Sequence, residues 1–191
     1  MPGVHEVEIK MKRIIPIVCS LLAVSAGAFA QDPAIDKPLM AAPGQLKAGA
    51  GVIKWKADYT YDTLKAGTNN LVCYDKSGMP GVTQAIYEEC TNKGNLPRIA
   101  QNLKFEAIAD KAAQKAAFDK AEADGSRVKP EFGSVFYHVM GADPDHLRNH
   151  MTIAVPGATT ATIGLPSDNK SGGVWIMNAG TTTAHLMTPG E

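Results

Sequence analysis

The chain has 191 residues, 20% of them charged, and its 19 Lys+Arg balance 19 Asp+Glu. Charge so evenly mixed offers neither the basic stripe that nucleic acid requires nor the cluster that anionic lipid requires, and both partners are excluded from the expectation.

Residues 11–30, MKRIIPIVCSLLAVSAGAFA, open on Lys12 and Arg13, continue as an apolar run from Ile14 to about Val24, and end in Ala28-Phe29-Ala30. That layout is a secretory signal with cleavage after Ala30, and the apolar run is too short to span a bilayer. Residues 1–10, MPGVHEVEIK, mix both charges and read as an over-called start ahead of Met11. Val18 precedes Cys19 where a lipoprotein needs a small residue, so lipid attachment is not expected. The expected location is periplasmic or secreted. Removing Lys10, Lys12, Arg13, Glu6 and Glu8 with the first 30 residues leaves a net charge near −1, and nothing after residue 30 has the length of a membrane span. Cys73 and Cys90 are then the only cysteines, and in an oxidising compartment such a pair predicts a disulfide.

Residues 31–50, QDPAIDKPLMAAPGQLKAGA, hold three prolines and few large apolar residues. They read as a flexible arm or linker with little to bury. A single domain is expected over 51–191. Its first strand, 52–58, alternates Ile53, Trp55 and Ala57 against Lys54, Lys56 and Asp58. Leu71–Tyr74 predicts the next strand and Val82–Cys90 a short helix. Arg98 to about Ala123 is rich in Ala, Lys and Glu without proline, and predicts one main helix that stops at Gly125. After Pro130 four apolar runs follow, Ser134–Met140, Met151–Val155, Val174–Met177 and His185–Thr188, the last two joined as a hairpin. The sum is α+β, a mostly antiparallel sheet with one main helix and a short helical segment.

The short segment lies in YHVMGADPDHLRNHM, 137–151. Asp143 suits an N-cap and Pro144 the first helical position. One or two helical turns from there would bring His146 and His150 onto one face. His138 with Met140, and His185 with Met187, alternate as strand neighbours on a common face. Imidazole with thioether suits copper, and the histidines suit zinc, with Asp143 or Asp145 as an oxygen ligand. His146, His150, His138, His185, Met140 and Met187 are thus the candidate metal set. The plainer reading is that apolar strands rich in methionine also carry structural histidines. Leu147 after His146 breaks the H-E-x-x-H frame, and the chain has no G-x-S-x-G, phosphate loop or G-x-G-x-x-G. Trp55, Trp175, Tyr59, Tyr61 and Tyr74 suit core packing better than a pocket wall.

The segments GTNNLVCYDKSG (67–78), FGSVFYHVMG (132–141) and VWIMNAGTTTAHLMTPG (174–190) resemble a loose group of exported bacterial hypothetical proteins. The resemblance implies no activity and no catalytic residue. The expected function is therefore a binding or structural domain without catalysis. Periplasmic copper or zinc binding is the alternative, and a small hydrolase with a histidine base is the third class.

Overall fold

Eight short runs rich in Val, Ile, Tyr and Thr pair into a single sheet, which a computed structural model describes for Gly3, residues 32–170 and residues 172–188. The chain divides into two units, Met1–Ala30 and Gln31–Glu191, and the sheet belongs to the second. The expected over-called start (apart from Gly3) and the expected signal fall outside the described residues. Among the described residues no helix is long and apolar enough to cross a membrane.

Two short helices come first, α1 (Pro33–Asp36) and α2 (Gly44–Lys47), with a 3-10 turn at Pro38–Ala41 between them. The strands are β1 (Gly51–Trp55), β2 (Tyr61–Lys65), β3 (Leu71–Asp75) and β4 (Ile86–Asn92), then β5 (Val135–Gly141), β6 (Leu147–Ala154), β7 (Trp175–Met177) and β8 (His185–Met187). Between β4 and β5 run α3 (Leu96–Glu106) and α4 (Lys111–Ala123), and α5 (Thr160–Ile163) follows β6. The sheet order is β2-β1-β3-β4-β5-β6-β8-β7. Among the described strands only β1 and β3 pair in parallel. The fold is α+β with a mostly antiparallel sheet, as the composition of the segments implies.

Both faces of the sheet centre are covered. On one, Val52, Leu71, Cys73, Cys90 and Val139 pack with Leu39, Ala41 and Ala42 from residues 32–50. On the other, Ile53, Val72 and Tyr74 pack with Leu96, Ile99 and Leu103 of α3. Cys73 and Cys90 stand directly opposite each other on β3 and β4 and are joined as the expected disulfide. A third, smaller core of Val155, Ala158, Ile176 and Ala184 holds the β7–β8 hairpin, also as expected.

Four expectations are corrected. Residues 32–50 are not a loose arm, because Leu39, Ala41, Ala42 and Ala50 are buried and Lys37 reaches Asp75 at 2.7 Å. Pro33, Pro38 and Pro43 restrict the unfolded segment, so few apolar groups suffice to hold it. The segment 82–90 is not a helix. Its second half is the central strand β4, where Ile86, Tyr87 and Thr91 favour the pleat and ladders on both sides override the helix preference of Glu88 and Glu89.

The helix expected over 98–123 is two helices. Asp110 accepts a hydrogen bond from the Ala113 N–H at 2.7 Å and so starts α4. The Gln114 side chain donates to the Glu106 carbonyl at the end of α3, at 3.0 Å. The helix expected from Pro144 is one 3-10 turn, Pro144–His146. Asp143 does cap it, accepting from the Asp145 N–H, but Leu147 already belongs to β6. Gly141 permits the tight return, since a Cβ there would stand 2.3 Å from the His146 carbonyl oxygen.

Candidate functional site

Because β6 begins at Leu147, His146 and His150 are separated by strand spacing and not by one helical turn. His146 is exposed, its Nδ1 2.7 Å from the Asp143 carboxylate. The expected pairing of His146 with His150 is therefore not formed. The antiparallel register makes a different grouping. Glu89 on β4 lies opposite His138 on β5, and His138 lies opposite His150 on β6. The two rings stack with centroids 5.8 Å apart. His185 of β8, opposite Ala154, points to the same face.

These three histidines line a cleft of about 320 Å³ between the sheet and α3. Its walls include Lys76, Arg98, Phe136 and Thr152. Met140 and Met187 are on the strands as expected but do not line the cleft. A second hollow of about 420 Å³, lined by Met40, Pro43, Tyr137 and Met151 and also reached by His138 and His150, lies against β5 and β6 toward residues 32–50.

Glu89 organises the cleft floor. It is 2% exposed and accepts a hydrogen bond from the Tyr74 hydroxyl, which lies opposite it on β3. Its Oε2 lies 3.2 Å from Lys76 Nζ and 3.3 Å from His138 Nδ1. Burial pushes the Glu89 carboxyl up, but the Lys76 ammonium, His138 and the Tyr74 hydroxyl outweigh burial and hold it well below the usual carboxylate range. Burial pushes Lys76 down, and the Glu89 charge more than reverses it, so Lys76 stays cationic. Burial, with the Glu89 charge second, pushes the Tyr87 hydroxyl up to about 12. Burial lowers His150 below the ordinary histidine value, and His138 and His185 add to the effect.

Ring tautomers follow from the partners. His138 Nδ1 faces both the Tyr87 hydroxyl, at 3.2 Å, and the Glu89 carboxylate, at 3.3 Å, and because the carboxylate can only accept, an N–H at Nδ1 satisfies that contact. The same holds for His185, whose Nδ1 is 2.7 Å from the Thr183 carbonyl oxygen. Histidines anchored in this way serve equally as bases and as metal ligands. Their spacing separates the two uses. Among the described residues no three His, Cys, Asp or Glu side chains are placed to share one ion.

Sequence reasoning about this site missed Glu89, Lys76 and Arg98. Glu89 sat in a segment read as a short helix, Lys76 between two predicted elements, and Arg98 at the start of the expected main helix. No protein family, curated protein or solved structure matches the chain.

Proposed function

We propose that this is an exported bacterial domain that binds a small molecule in the cleft beneath α3, without catalysis. The carrying observation is the convergence of His138, His150 and His185 from three strands on one concave surface next to Lys76 and Arg98. Its volume lies at the lower end of the range for small-molecule sites, and its lining is mixed apolar and polar. Export rests on the segment 11–30 and fits a chain whose two remaining cysteines form a disulfide.

The test is thermal unfolding of the purified protein against small organic acids, amines, neutral aromatics, Cu(I) and Zn(II), repeated with Thr152→Leu, which fills the cleft. A ligand held at about a hundred times its Kd stabilises by about 2.7 kcal/mol. At least one class should raise Tm by several degrees in the wild type and not in the variant. If none does, the domain is structural. A rise confined to the metals transfers the cleft to the metal reading.

The Glu89–His138 contact supports a second reading, acid–base chemistry with His138 as base and Glu89 fixing its tautomer. It predicts ester hydrolysis that follows the ionisation of one histidine and is lost in His138→Ala. No hydrolysis above the buffer rate removes this reading.

A further inference from the structure

Arg98 enters the cleft wall from the first turn of α3 and is only 3% exposed. Its guanidinium donates to three neutral oxygens. They are the Val128 carbonyl at 2.5 Å, Thr182 Oγ1 at 3.2 Å and Thr183 Oγ1 at 2.8 Å. Among the described residues no carboxylate comes within 4.0 Å of it. Glu122 accepts hydrogen bonds from the Thr182 and Thr183 hydroxyls and acts on the cation across them, without touching it. A desolvated cation ordinarily has an opposite charge in contact, because removing it from water is costly.

The other charges on the cleft wall cancel, since Lys76 is paired with Glu89. Arg98 is then the cleft-wall cation without a carboxylate in contact, its charge offset by Glu122 only across the two threonine hydroxyls, and Ile99, Phe136, Ala154 and Ala184 line the same cleft. We infer that the cleft takes a small monocarboxylic acid with an apolar tail, its carboxylate on Arg98 and its tail along Ile99 and Phe136. One guanidinium without a carboxylate in contact matches a monoanion better than a phosphate dianion. A planar carboxylate also suits the guanidinium fork. His138 and His185 line the same cleft, where a polar substituent would meet them. This inference rests on the cleft being a binding site, as proposed above.

The experiment is isothermal titration of the purified protein with sodium benzoate, benzamide and inorganic phosphate at matched ionic strength, with NMR of the arginine and histidine side chains. Benzoate should bind, shift the Arg98 and His150 signals, and bind at least about tenfold more tightly than benzamide, as a charge-assisted contact implies. Arg98→Gln should remove that preference. If Arg98→Gln does not fold, Thr152→Leu serves instead and should abolish benzoate binding. A retained preference in folded Arg98→Gln, retained benzoate binding in folded Thr152→Leu, or shifts away from Arg98 would overturn the inference. Equal affinity for benzamide, or tighter binding of phosphate, overturns the monocarboxylate and leaves the cleft as a binding site. Failure of all three probes overturns the inference, and the broader ligand panel then decides whether the binding reading falls with it.

Discussion

On β4 the pleat places Glu88 on the face covered by residues 32–50 and Glu89 on the cleft face, and the two carboxyls respond in opposite directions. Glu88 is 0% exposed, and among the described residues its one ion-pair partner is Lys37, 3.2 Å from Oε1 and shared with Asp75. Burial, and then the Asp75 charge, push Glu88 up to about 7 against the pull of Lys37. A carboxyl raised in the folded state favours folding below its unfolded value, and that contribution is lost as pH rises through about 7. Wild-type stability should therefore fall between pH 5 and pH 8. Glu88→Gln should flatten this slope and gain roughly 2 kcal/mol at pH 8, allowing for screening around half-exposed Lys37. Urea midpoints at four pH values measure it, and an unchanged slope in the variant would contradict it. Glu89 has the opposite sign. Its depressed value means that its contribution is present at neutral pH and is lost only as pH falls below the usual carboxylate range. Glu89→Ala strands the half-buried Lys76, so a loss of about 3 kcal/mol, the low end for a broken buried pair, is expected by urea unfolding at pH 7.

At the level of elements, legibility followed the length and period of each segment. β3 and the late strands were readable because their apolar runs are bounded by Gly, Asn and Thr turns. β4 was not, because IYEECTN puts two glutamates in its middle and their burial depends on Lys37, Lys76 and Tyr74, distant in sequence. The break between α3 and α4 had a signal in Asp110, an N-cap within an otherwise helical run. The histidine grouping was half legible. Alternation put His138 and His185 on strand faces, but only the β5–β6 register could bring His138 beside His150 and leave His146 at the turn. The segment 32–50 misled through composition, since its burial is carried by Leu39 and small alanines. Leu39→Ala should cost about 2–5 kcal/mol if the segment is core. For a loose arm the change would stay within about 0.5 kcal/mol. Denaturant unfolding of the two proteins separates these values.

The unit Gln31–Glu191 is built on a sheet with different cover on its two faces. The Cys73–Cys90 bridge lies beneath residues 32–50 and, in the chain-entropy model, stabilises the fold by about 3 kcal/mol. The cleft lies on the opposite face, where α3 leaves β5, β6 and β8 partly uncovered and the sheet presents imidazoles where a plain core would present Val or Ile. The most direct test of this account is an NMR pH titration of the four histidines in residues 31–191, with ring-to-ring contacts recorded in the same sample. The account predicts contacts between the His138 and His150 rings, none from either to His146, and a His150 pKa below the ordinary value of 6.5. A contact between His146 and His150, with none between His138 and His150, would restore the helical pairing and contradict the cleft.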